Sequence, residues 1–314
     1  MLSSVNTFLS AIVDYAGLFP PAQLSLKAAM ANYAQYRASP DAWMLGRFVL
    51  PASHLEEFIA LLATFPLAQW PLSIIISQDF EPVLSRVQSL AAHNPAIALQ
   101  ALEFPPLAAT EIVALDLLPQ VETFFEIPLD QDLTPYLNVL HHQGASAKIR
   151  TGGITAAAFP STAQLYEFIF ACAQAQVSFK ATAGLHHPIP GEYPLTYEPE
   201  SEVTAMPGFL NVALASALVY WQKITSEAAL SLLQEQSVDQ FLLTDNAIRW
   251  NQHQLSLREL AIARKQSFRS FGSCSFVEPI AGLQAMQLLP EPKLSNKLSK
   301  PEPQTGQELG SKKI

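Results

Sequence analysis

Two stretches decide how this chain reads: Ala145-Ser146-Ala147-Lys148-Ile149-Arg150-Thr151-Gly152-Gly153 and Val177-Ser178-Phe179-Lys180-Ala181-Thr182-Ala183-Gly184. Each is a short strand-like run that carries a lysine and then breaks on glycine. Between them, Ser161 caps a helical pattern over 161–175. Strand, helix and strand of these lengths predict two parallel strands joined by a crossover. Residues two apart on a strand share a face, so Lys148 points with Arg150 and Lys180 with Thr182.

The same unit recurs outward in both directions. Strands are predicted at 11–17, 43–50, 72–77, 97–103 and 121–126, with helices at 25–37, 53–64, 80–92, 108–117 and 131–143. Ser3-Ser4 and Ser53 stand where helix caps are expected, and Glu56-Glu57 favour the first turn of the helix that follows Ser53. The rhythm breaks at 185–205, a Pro- and Glu-bearing loop. Helices at 207–222 and 226–236 follow, then a β-hairpin through Gln240–Trp250, and a helix that begins at Ser256. The eighth strand is Phe268–Cys274, chosen over Phe241–Thr244, with a closing helix at 277–288. This pattern predicts an α/β fold, a (β/α)8 TIM-type barrel with a helical plus β-hairpin insertion before its last strand. An open doubly wound sheet is the alternative. The barrel would occupy 1–290, including the insertion 185–255. The Pro-, Ser-, Lys- and Gln-rich residues 291–314 read as a disordered tail.

Composition narrows the function classes. With 49% hydrophobic residues, 314 residues are ample for a sizeable core. The net charge of −9 and the lack of a basic cluster before the tail argue against nucleic acid. Cys172 and Cys274 form no disulfide framework and have no metal spacing. No leader-like run opens the sequence, and the apolar segment Phe209–Trp221 is too short to cross a bilayer. The expectation is a cytoplasmic protein with no membrane partner, compatible with a homo-oligomer. The 18 basic residues include five lysines in 291–314, leaving 13 basic against 24 acidic elsewhere. Two of the five remaining lysines are Lys148 and Lys180, a placement that solubility does not require.

In a barrel the active site forms at the C-terminal ends of the strands. The polar residues read at or near those ends are Asp14, Arg47, Ser77, Glu103, Glu126, Lys148, Arg150, Lys180, Thr182, Gly272 and Ser273. Two ammonium groups side by side disfavour each other's charge and lower a lysine's pKa, which makes a nucleophile near neutral pH. Lys148, Lys180, Glu126, Glu103 and Asp14 are therefore the catalytic candidates. Arg47, Arg150, Gly152, Gly153, Thr182, Gly184, His186, His187, Gly272 and Ser273 are candidates for holding a small anionic substrate, the glycines through backbone N–H groups. No cofactor and no metal are expected on this reading. A metal held by His186, Glu103 and Glu126 remains the alternative, as does the plain structural role of paired charges inside a barrel. His141-His142 read as a helix C-terminal cap, and Cys274 as a small packing residue or a nucleophile.

With those residues in view, the chain resembles the deoxyribose-phosphate aldolase group of class I aldolases. The resemblance rests on four short patches: Lys148-Ile149-Arg150-Thr151-Gly152, Lys180-Ala181-Thr182-Ala183-Gly184, Val13-Asp14-Tyr15-Ala16 and Arg269-Ser270-Phe271-Gly272-Ser273. It implies a (β/α)8 barrel, a Schiff-base lysine at Lys148 and a second lysine, Lys180, that tunes it. Arg150 departs from the family's small hydroxyl residue. The catalytic aspartate that the family carries on its third strand has no counterpart, and the insertion 185–255 is foreign to it. The run Lys180–Pro188 with Gly272–Phe276 also resembles a group of bacterial barrel proteins, a likeness that carries no activity. The function expected is a lyase of aldolase type acting on a small carbonyl compound that bears phosphate or carboxylate. The alternatives are a metal-dependent hydrolase or isomerase, and a non-catalytic binding or scaffold barrel.

Overall fold

The computed structural model describes residues 1–77 and 79–290. Seven strands come first: β1 (Val13–Tyr15), β2 (Leu45–Pro51), β3 (Trp70–Ile75), β4 (Ile97–Phe104), β5 (Glu122–Glu126), β6 (Ser146–Arg150) and β7 (Phe179–Thr182). A hairpin follows, β8 (Gly191–Pro194) with β9 (Val203–Met206). Then comes a three-stranded antiparallel sheet of β10 (Phe241–Leu243), β11 (Ala247–Trp250) and β12 (His253–Ser256), and finally β13 (Phe268–Ser273). Strands β1–β7 and β13 close into one barrel, β13 pairing with both β7 and β1. All eight pairings are parallel. The chain is thus a (β/α)8 barrel, closed by Phe268–Ser273.

Alternation along the strands explains where the core sits. Outward positions are large and apolar: Phe48, Trp70, Phe104, Phe125, Phe179 and Phe271 are all fully buried. They meet the helices in aromatic clusters, with Phe104 stacked on Phe125 at 4.8 Å and Phe271 on Phe209 at 5.1 Å. Offset and edge-on rings of this kind add to the burial of their area. The inward positions are instead Asp14, Arg47, Ser73, Glu103, Glu122, Phe124, Glu126, Lys148, Lys180 and Ser270. The hydrophobic core is therefore the shell between strands and helices, and the barrel's centre is ionic.

The insertion differs from expectation in detail. The run 185–205 contains β8 and all but the last residue of β9, and the predicted hairpin 240–250 gains a third strand, His253–Ser256. Helix Phe209–Tyr220 is buried along all but its last residue, between the barrel and the rest of the insertion. Its polar members donate locally, while Asn211 Oδ1 is buried with no partner among the described residues. Asn211 donates to the carbonyls of Leu232 and Glu235 at 2.7 and 2.8 Å, and Ser216 to that of Val212 at 2.6 Å.

Only some of the expected serine caps form. Ser161 and Ser256 each accept an N–H bond in a capping box, with Gln164 and Glu259. Ser3 and Ser4 lie inside the first helix, and Ser53 sits within a 3-10 turn ahead of helix Leu55–Leu61, which has no side-chain cap. The tail 291–314 lies outside the described residues.

Candidate active site

Lys148 and Lys180 stand directly opposite one another on β6 and β7, and Glu126 on β5 is the next partner in register. Both lysines point into the barrel and are buried, 4% and 1% exposed. Their environments are unequal. Lys180 Nζ donates to Asp14 Oδ2 at 2.7 Å and to Glu103 Oε1 at 2.6 Å, crossing the barrel to β1 and β4. Lys148 holds its carboxylates more loosely, with Nζ 3.5 Å from Glu103 Oε2 and 3.3 Å from Glu126 Oε2.

These pairs belong to one alternating chain of charges. From the N-terminal end of the barrel upward it runs Arg269, Glu122, Arg47, Asp14, Lys180, Glu103, Lys148, Glu126, Arg150. Arg150 grips Glu126 with Nε at 3.0 Å and Nη2 at 3.3 Å, and its side chain is 53% exposed at the C-terminal mouth. Two hydroxyls complete the interior. Ser73 donates to Glu103 at 2.6 Å and Ser270 to Asp14 at 2.7 Å. Phe124 forms an aromatic floor, its ring centroid 5.4 Å from Lys180 Nζ.

The electrostatics correct the expectation for Lys180, that a neighbouring ammonium would depress it. Burial is the largest influence on Lys180 and disfavours its charge, but Asp14 and Glu103 outweigh it and hold its pKa above the ordinary lysine value. Lys180 is thus a fixed ammonium. Glu103 is likewise opposed by burial, yet Lys180 and Lys148 pull its carboxyl down to about 2, so it stays ionised. Asp14 is lowered by Lys180 and Arg47 against the same burial penalty. Neither Glu103 nor Asp14 is placed to carry a proton at neutral pH.

Other predicted residues sort by position. Arg47 is the third residue of β2, not its end, and faces Glu122 and Asp14 near the N-terminal end, away from the mouth. Thr182 reaches the mouth beside Gly272, where a Cβ would stand 3.6 Å from the Thr182 hydroxyl. Gly152 packs its backbone on Gly184, so close that a Cβ on Gly152 would lie 2.6 Å from Gly184 Cα. Those two glycines are needed to bring the β6 and β7 loops together, and Gly184 also has a left-handed φ of +77°.

Gly153, Gly184, His186 and His187 line a separate cavity of about 120 Å3 over the β6, β7 and β13 loops. There His186 Nδ1 is 2.7 Å from Glu278 Oε2 and 3.4 Å from Ser273 Oγ. His187 stacks on Tyr193 at 3.4 Å, and burial, aided by His186, lowers its pKa to about 4. His186 therefore does not join Glu103 and Glu126, and among the described residues no group of three His, Cys, Asp or Glu side chains converges to hold a metal. Cys274 is buried, which pushes its thiol up to about 11 and disfavours a thiolate.

Comparison with protein families, curated proteins and solved structures finds no match to this chain. The site's meaning rests on its own chemistry. Several of its members were not singled out from the sequence. Glu122 and Phe124 were readable, because Glu122-x-Phe124-x-Glu126 puts all three on the face of a residue already chosen. Ser270 follows in the same way from Gly272. Glu278 gave no signal, since it meets His186 across 92 positions of sequence.

Proposed function

We propose that this chain is a class I aldolase-type lyase in which Lys148 forms the Schiff base. The observation that carries the reading is the asymmetry between two buried, in-register lysines. Lys180 is saturated by two short ion pairs, whereas Lys148 has only longer contacts and lies one step below the exposed Arg150. In the reaction, Lys148 gives a proton to Glu126 and its neutral amine adds to the substrate carbonyl. Glu126 returns its proton to the carbinolamine oxygen, which leaves as water. The iminium takes up the electron pair as the bond between the α and β carbons breaks. Glu126 accepts the β-hydroxyl proton as the carbonyl fragment leaves and passes it to the enamine carbon, and water then hydrolyses the iminium to free Lys148. Glu126 serves as the proton carrier because it touches Lys148 and reaches the mouth. Lys180 contributes a fixed positive charge beside Lys148. Arg150, free to swing from Glu126, holds the substrate's phosphate or carboxylate, with Thr182 beside it.

The test is borohydride trapping with small aldehydes, keto acids and sugar phosphates, read by peptide mass spectrometry. A reduced adduct on Lys148, lost in Lys148→Ala, is the expected result. An adduct confined to Lys180 would overturn the assignment of the nucleophile, and no adduct with any carbonyl compound would overturn the class. In that event the short, fully compensated pairs around Lys180 favour a barrel that binds without covalent chemistry.

A further inference from the structure

The opposite end of the barrel carries a feature that the proposed chemistry leaves unused. A cavity of about 340 Å3 opens among the segment before β1, the starts of β2 and β13, and the end of helix Leu257–Gln266. Four cationic side chains line it: Arg47, Arg264, Lys265 and Arg269. That is a large share of the 13 basic residues that precede the tail in a chain of net charge −9.

The carboxylates nearby do not balance them. Glu122 is shared between Arg47 and Arg269. Asp14, the one acidic residue lining the cavity, is already spoken for. Its Oδ1 accepts from the Arg47 backbone N–H at 3.0 Å, and its Oδ2 from Lys180 and Ser270, both at 2.7 Å. Arg264 and Lys265 have no carboxylate partner among the described residues. Among the described residues Arg264 donates only to backbone carbonyls, those of Phe268 and Ser10, and its Nε is buried with no partner. A buried N–H of a charged group that has no acceptor costs free energy unless something accepts from it. Gly46 keeps the cavity open onto Asp14, because a Cβ there would stand 2.5 Å from Asp14 Oδ1.

We propose that this N-terminal end of the barrel is a second ligand site, one that takes a small anion bearing phosphate or several carboxylates between Arg264, Arg269, Lys265 and Arg47. Planar guanidinium forks suit both groups. The site is distinct from the C-terminal mouth, and it stands whether or not Lys148 forms a Schiff base. Its occupant would touch Arg47, which also contacts Asp14, so binding is linked to the interior network and should raise the thermal stability of the protein.

The experiment is calorimetric titration with inorganic phosphate and, separately, citrate, at ionic strength held constant with chloride, alongside thermal unfolding in the same solutions. In an Arg150→Gln background, which removes the anion-holding guanidinium of the mouth, saturable binding of one equivalent with a raised Tm is expected. Arg269→Gln should weaken it by about tenfold, the loss of one charge-assisted hydrogen bond. Lys265→Gln, at an exposed position that does not risk folding, should weaken it by a few fold. Binding of phosphate alone or of citrate alone would each support the site and name its ligand class. No saturable binding of either in that background, or binding indifferent to both Arg269→Gln and Lys265→Gln, would overturn it.

Discussion

Lys180 and Lys148 look equivalent as sequence, and their structural surroundings predict unequal consequences of removal. Lys180→Met takes the shortest ion pair from two buried carboxylates, Asp14 and Glu103, each 2% exposed or less. It leaves Asp14 with Arg47 and Ser270, and Glu103 with Ser73 and the looser Lys148. Breaking a buried pair costs about 3–5 kcal/mol, and two are broken here, so the loss should fall in that range even with the remaining partners in place. Lys148→Met leaves Glu103 with Lys180 and Ser73, and Glu126 with Arg150, so it should cost well under half as much. Urea unfolding of the two variants checks the difference. Equal losses would mean that Lys148 is as much a structural ion as Lys180, which would weaken its claim as a nucleophile. The period of two made both lysines and their inward direction legible. What it did not supply was the far side of the barrel, because Asp14 and Glu103 reach Lys180 from 166 and 77 positions away. Hence the expected depression of both lysines by each other proved wrong for Lys180, whose nearest neighbours are carboxylates.

At the scale of elements, strand and helix alternation was readable because each outward strand face is apolar and each helix must cover it. The long Pro-bearing connection after β7 was not, since β8 and β9 are short, half-exposed and paired mainly with each other. The glycines after β6 and β7 show why a turn signal alone understates its role. Gly184→Ala would meet Thr151 O at 2.4 Å in a left-handed conformation and so force the β6 and β7 loops apart. Gly144 also has a left-handed φ, +66°, but opens onto space with nothing within 4 Å. Gly144→Ala should therefore cost about 1 kcal/mol for backbone strain alone, and Gly184→Ala roughly 1–3 kcal/mol or more once the steric displacement is included. Chemical denaturation ranks the pair. Trapping efficiency at Lys148 should also fall in Gly184→Ala and not in Gly144→Ala, because only the former moves the loop that follows Arg150.

The molecule as a whole places an ionic column inside an apolar shell, and this arrangement fixes its response to pH. Glu103 has its pKa lowered from 4.5 to about 2, and Asp14 is lowered as well. Groups depressed in the folded state contribute stability that is fully present above their unfolded pKa and is lost as pH falls through the folded value. For Glu103 that contribution is of the order of 3 kcal/mol, lost between about pH 4.5 and pH 2. Lys180, raised in the folded state, contributes stability that is fully present below its unfolded value of 10.5 and is lost as pH rises through the folded value. Stability should thus hold across the neutral range and fall on the acid side first. The decisive variant is Asp14→Asn with Glu103→Gln and Lys180→Met, which removes the central charges together and leaves none of the three unpaired. Coupled removal of a buried ionic group often costs little, in contrast to the loss of one partner. The triple variant should be more stable than Lys180→Met alone, and the acid-side loss between about pH 4.5 and pH 2 should flatten as the Glu103 titration disappears. Urea unfolding across that range measures both. If the triple variant folds and its acid limb is flat while trapping at Lys148 is lost, the column serves chemistry more than stability. Were trapping to survive unchanged, the fixed charge on Lys180 would have no part in activating Lys148, and Glu126 alone would have to account for its deprotonation.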